Sequence, residues 1–146
     1  MKLFFLGDDA VVFAWARTGE KTSEIRGLAA LSGDLVMSHF QAAVLAARVI
    51  RAFKKGRNLA RTPEIELLCV AFGERNISRV IKLRPTDDRI LAVFLFSNRK
   101  EAIRKFVDIC RINRVVPVER PLGLDYEDRI RIYRHLERTA LLELDR

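Results

Sequence analysis

Apolar positions fall into three patterns along the chain. Short runs rich in Val, Phe and Trp occupy residues 2–6 and 10–17, broken by Gly7-Asp8-Asp9. Such runs bounded by a Gly-Asp turn predict two strands. Thr18-Gly19-Glu20 reads as a turn, and Thr22 or Ser23 is placed to cap a short helix to about Leu31. Ser32-Gly33-Asp34 reads as the next turn. The second pattern has helical spacing. Ser38 is an N-cap for a helix from His39 to about Lys55, stopped by Gly56. Phe40, Ala43, Ala47 and Ile50 share one face of it, and Leu45, Val49 and Phe53 widen that face. Thr62 caps a further helix, with Pro63 in its first turn and Glu64 and Glu66 near the positive end of its dipole. That helix runs to about Phe72, before Gly73, and Asn76 caps a short helix from Ile77 to Lys82. The third pattern is the unbroken apolar run ILAVFLF at 90–96, which predicts a central strand buried on both faces.

Ser97 or Asn98 caps a helix over about 99–112, with Ile103, Phe106, Val107 and Cys110 inward. Val115-Val116 reads as a short strand, and Pro117 and Pro121 bracket a loop. Asp125 caps a last helix to Leu144, with a kink near Tyr133. Strands and helices are mixed in order, with no repeat and no linker. The expectation is one α+β domain over residues 1–146, its helices packed on a small mixed or antiparallel sheet.

Composition narrows the function. The chain has 146 residues, 49% of them hydrophobic and 32% charged, with 7 Gly and 4 Pro. That excludes collagen-like, low-complexity and extensively disordered chains. Cys69 and Cys110 both sit among apolar neighbours without Cys or His at metal spacing, and read as reduced core residues of a cytoplasmic protein. The apolar run Leu3–Leu6 ends at Asp8-Asp9, too short for a signal-peptide core, and no window reaches a membrane span. A single Gln, four Asn and abundant Arg lean toward a thermophile.

No glycine-rich phosphate loop and no nucleophile elbow occur in the sequence. His39 and His135 lack metal-ligand spacing, and His39 reads as a capping or packing residue. Asp8-Asp9 and Asp87-Asp88 would serve a small metal-dependent hydrolase, but each pair reads more simply as a polar turn. The expectation is a protein that is not an enzyme and needs no cofactor or metal.

Charge points to a polyanion instead. Lys and Arg number 27 against 19 Asp and Glu, for a net charge of +8. Residues 48–61 carry Arg48, Arg51, Lys54, Lys55, Arg57 and Arg61 and no acid. Cations at a helix C-terminus complement its dipole, which accounts for part of them. The rest surround Gly56-Arg57-Asn58, where exposed amides, guanidinium forks and the Asn amide suit phosphates and unpaired bases. Ion pairs with Glu64 or Glu66 are the competing use. A second cluster, Arg75, Arg79, Lys82, Arg84 and Arg89, is placed to converge with the first. A third, Arg99 to Arg114, reads as a solvated helix face.

Four segments in order carry a resemblance: the Ala-rich helix Ala42 to Phe53, the loop Lys55-Gly56-Arg57-Asn58-Leu59-Ala60, Glu66-Leu67-Leu68, and Gly73-Glu74-Arg75-Asn76-Ile77. Together with the closing ERTALLELDR they resemble the kinase-binding subunit family of the KEOPS (EKC) complex, over about two-thirds of the chain. Asn76 departs from the family's usual Gln, and Phe72 from a frequently small residue. The resemblance implies a non-catalytic, archaeal-type subunit of the complex that makes threonylcarbamoyladenosine in tRNA. It would bind the complex's small atypical kinase, meet the other subunits indirectly, and help capture tRNA through its single-stranded 3′ CCA end. The residues expected at the RNA are Lys54, Lys55, Arg57, Asn58 and Arg61, with Arg75 and Arg79 behind them. Ile132, Leu136, Ala140 and Leu141, at helical spacing near the C-terminus, are expected either at the kinase or in the core. A general nucleic-acid-binding or scaffold protein outside KEOPS is the alternative.

Overall fold

The computed structural model describes residues 1–19, 25–84, 90–119 and 126–144. In chain order they form β1 (Lys2–Leu6), β2 (Asp9–Thr18), β3 (Ala29–Ser32), α1 (His39–Lys54), α2 (Pro63–Phe72) and α3 (Ile77–Lys82). There follow β4 (Leu91–Asn98), α4 (Ala102–Ile112), β5 (Val115–Val118) and α5 (Tyr126–Leu144). Helices on a five-stranded antiparallel sheet make the fold α+β.

The long strand β2 organises the sheet. One of its edges pairs with β4 along almost its full length, from Asp9 opposite Asn98 to Ala16 opposite Leu91. Its other edge is shared end to end by β1 (Lys2 opposite Phe13) and β5 (Thr18 opposite Val115). β3 adds to the far side of β4. Because side chains alternate along a strand, this register sorts the core into two faces. Val11, Phe13, Trp15, Leu31, Ala92 and Phe94 face α1 and α2. Val12, Ala14, Leu91, Val93 and Leu95 face Phe106 and Cys110 of α4. Leu91 to Leu95 are thus central and buried on both faces, as the composition of the 90–96 run predicts, while Ile90 and Phe96 at its ends are partly buried. Truncating a fully enclosed side chain such as Phe94 to Ala would cost about 3–5 kcal/mol.

Local signals place the helix ends. The Ser38 side chain accepts the Gln41 N–H, and Thr62 and Asn76 do the same for Ile65 and Arg79. Gly56, at φ +65°, closes α1: its N–H reaches the Phe53 carbonyl, and that of Arg57 reaches Ala52. Only glycine enters this left-handed region without strain.

Five expectations are corrected. Ile25 to Leu31 form no helix, because Ala29–Ser32 pair with β4. On α1, Leu45, Val49 and Ile50 are buried as expected, but Ala42 and Ala46 complete the face in place of Ala43 and Ala47, and Phe40 is 62% exposed. On α4, Ala102, Phe106 and Cys110 meet the sheet, whereas Ile103 and Val107 are 50% and 48% exposed. Pro117 lies inside β5, opposite Ala16, an edge position where its missing N–H is tolerated. α5 is one uninterrupted helix. Thr22, Ser23, Asp87, Asp88, Pro121 and Asp125 lie outside the described residues.

α5 docks on α1 and α2. Buried His135 holds it there. Its Nε2–H donates to the Ala71 carbonyl (2.6 Å), and its Nδ1 accepts from Gln41 Nε2 (2.5 Å). Gln41 Nε2 also donates to the Leu35 carbonyl, and its Oε1 accepts the Met37 N–H, both at 2.8 Å. Arg48 of α1 donates to the Leu136 carbonyl (3.1 Å) and to Thr139 Oγ1.

Candidate nucleic-acid interface

The basic loop 55–61 spans the gap between the end of α1 and the start of α2 and is internally braced. The Asn58 Nδ2 donates to the Ala60 carbonyl (2.8 Å). Fully buried Glu66 reaches back from α2 and accepts the Leu59 N–H on both oxygens, at 2.6 and 3.1 Å. Gly56 and Arg57 spend their N–H groups on closing α1. The expectation of exposed amides ready for phosphate is therefore corrected: the amides of 56, 57 and 59 face the protein. What the loop turns outward is cationic side chains. Lys55, Arg57 and Arg61 are exposed. Lys54 is partly committed, since its Nζ lies 3.7 Å from Asp9 Oδ2 over the β1–β2 turn.

A cavity of about 260 Å³ opens beside this loop. Val49, Ile50 and Phe53 of α1 line it with Phe96 of β4 and Pro63 of α2, and the Lys54–Asp9 ion pair sits on its lining. Apolar walls with a charged rim suit a flat group that has apolar faces and polar edges, as a nucleobase has. Sequence alone could not find this slot, because it depends on the β2–β4 register that brings Asp9 and Ala10 to Ser97. Phe96, only partly buried, is where the strand opens onto it.

Arg75 and Arg79 do not join the loop. They lie past the C-terminal end of α2, whereas the loop leads into its N-terminal end, about 15 Å away along ten residues. Arg79 pairs with Glu74 at 3.5 Å. The Asn76 N–H, aided by Arg79, holds the Glu74 carboxyl below the usual carboxylate range. The second basic cluster is thus divided: Arg75 and Arg79 stay beside Glu74, whereas Arg84, after α3, returns to the N-terminal end of α2 and lines a cavity with Thr62, Glu64 and Ile65.

The candidate docking residues divide differently. Ile132 and Leu136 are buried against Met37 and Val44, so they serve the chain's own core. Ala140 is half-buried, and the Leu141 side chain lies outside the described ones. Outward on α5 stands Tyr133, 67% exposed.

The remaining reactive groups are structural. His39 packs on Trp15, ring centroids 5.0 Å apart, and burial followed by repulsion from Lys2 and the N-terminal amine lowers its pKa. Cys69 and Cys110 are buried thiols outside any disulfide, and burial pushes the Cys110 thiol up to about 11. Among the described residues no three His, Cys, Asp or Glu gather to hold a metal ion, and no helix is long and apolar enough to cross a membrane. Compared with known proteins, the chain matches no family model and no curated protein.

Proposed function

We propose that the protein is a non-catalytic, cytoplasmic RNA-binding subunit of the KEOPS kind, which captures the single-stranded 3′ CCA end of tRNA and binds the complex's small atypical kinase. One observation carries the RNA half: a braced loop presenting Lys55, Arg57 and Arg61 stands beside an apolar slot walled by Phe53 and Phe96. Cations hold the strand's phosphates while the slot takes an unstacked base. Rigidity of the loop supports this use, because a preformed loop loses little freedom on binding. For the kinase, α5 offers its outward residues around Tyr133, an aromatic of the kind that anchors interfaces.

The test is titration into labelled tRNA with and without its 3′ CCA, at several salt concentrations. Tail-dependent binding is expected. Neutralising about four phosphates gives a log–log salt slope near −3 for a single-stranded tail. The double substitution Lys55→Ala, Arg57→Ala should flatten that slope by about 1.4 without altering the melting temperature. Equal affinity for both RNAs would leave a general polyanion binder, and an unaffected double variant would move the site elsewhere.

A further inference from the structure

A second positive surface lies at the opposite end of α1. A cavity of about 240 Å³ there is floored by Met37, Gln41 and His135 and edged by Arg131, Arg134 and Arg138 of α5. These three arginines stand at i, i+3 and i+7, so they line one side of the helix over about 10 Å. Arg131 is engaged by Asp128 at 2.6 Å. Arg134 and Arg138 are exposed and have no acidic partner among the described residues. With Arg131 paired to Asp128, one carboxylate on the lining, Asp34, stands against the two remaining cations. Gln41 and His135 are engaged with each other, with Ala71 and with the Leu35–Met37 backbone, so a ligand meets guanidinium groups over a rigid floor. Behind Arg138 the surface continues: its Cγ packs over Gly73, two residues before exposed Arg75.

We infer that this arginine face is a phosphate-binding site that holds the backbone of an RNA strand, separate from the loop at 55–61. The inference rests on the proposed RNA binding and extends it. The chemistry is that of guanidinium forks on phosphate oxygens. The cavity falls below the range of about 300–1,000 Å³ typical of small-molecule sites, which favours one phosphate group of a polymer over a whole free nucleotide. The row of cations along the helix matches a ligand whose charges also repeat. Gln41 and Lys55 are fourteen residues apart on and just after α1, about 20 Å, so an RNA body whose tail reaches the loop has room to cross α5.

The experiment compares the intact chain with Arg134→Gln, Arg138→Gln and with Lys55→Ala, Arg57→Ala. Each is titrated into tRNA and into a four-nucleotide strand ending in CCA, across a range of salt. The glutamines keep the aliphatic stems, so the packing over Gly73 survives. The α5 variant is expected to flatten the tRNA salt slope by about 1.4–1.8 and to lose about 25–60-fold in tRNA affinity at 0.1 M salt relative to 1 M. Its binding of the short strand should stay within twofold of the parent, while the loop variant loses the short strand. An α5 variant with the parent's tRNA slope overturns the inference and leaves the proposed function standing if the loop variant still loses RNA. A melting temperature raised by inorganic phosphate at matched ionic strength in the parent alone, with that unchanged slope, overturns it in favour of a free anion. An intact chain that binds neither RNA removes both proposals together.

Discussion

Replacing Glu66 by Ala tests whether the basic loop is held from within. Glu66 is fully buried, and both its oxygens receive the Leu59 N–H. A hydrogen bond to a charged acceptor contributes about 1.5–3 kcal/mol, and truncation also leaves Leu59 N–H to find water. A loss of about 2 kcal/mol corresponds to roughly 30-fold in an opening equilibrium. The Leu59 amide should therefore exchange its hydrogen about 30 times faster, read by two-dimensional NMR in deuterated water. The melting temperature should fall by about 4–8 °C for a domain of this size. Glu66→Gln keeps one acceptor oxygen and should lose about half as much. RNA affinity should drop in the same order, because a loosened loop must be ordered on binding. Exchange of Leu59 within threefold of the parent in Glu66→Ala would refute the view that this carboxylate fixes the loop.

Two further outcomes follow from α5. Burial above all, then repulsion by Arg138 and Arg48, holds His135 below the ordinary histidine range, against the opposing pull of the Ala71 carbonyl. The unfolded chain takes up that proton near pH 6.5, so the stability due to neutral His135 is complete above about 6.5 and is lost as pH falls through the folded value. Urea unfolding from pH 7.5 to 5 should show stability falling with pH, and His135→Asn should reduce that slope to the part owed to His39, whose pKa is also lowered; an unchanged slope would contradict the burial of a neutral ring. Leu136→Glu places a carboxylate against Met37 and Val44 and should cost at least the 2–5 kcal/mol of a core truncation, seen as a lowered urea midpoint; an undiminished midpoint would show α5 free to expose that face.

The helix ends were legible because caps are local: Ser38, Thr62 and Asn76 each bond the third residue onward, and Gly56 alone accommodates the closing turn. Facing was not. On α1 and α4 two apolar stripes compete in sequence, and only the sheet decides that Ala42 and Ala46 turn inward while Phe40 turns out. The Gly-Leu-Ala-Ala-Leu stretch favours helix by local propensity, and pairing of Ala29–Ser32 with β4 overrides it. At the candidate interface the cations were readable as a run without acids. The slot behind them and the cavity edged by the arginines of α5 depend on contacts between residues distant in the chain, which no local pattern encodes; the Glu66 brace spans seven residues and the arginine row is a helical spacing, and the sequence reading missed both.

The pairing of β2 with β4 has a consequence for how the chain comes off the ribosome. Partners lie from 75 residues apart (Ala16 and Leu91) to 89 (Asp9 and Asn98), so the sheet's central seam closes only after most of the chain is made. At roughly 5–20 residues per second, β2 waits on the order of 4–16 s with one edge open to the cell. During that interval the first hairpin, β1 with β2, presents Val12 and Ala14 with neither β4 nor α4 to cover them. Nascent-chain binders that recognise apolar strands would find their target here, and a pause in translation between β2 and β4 would lengthen the exposure in direct proportion.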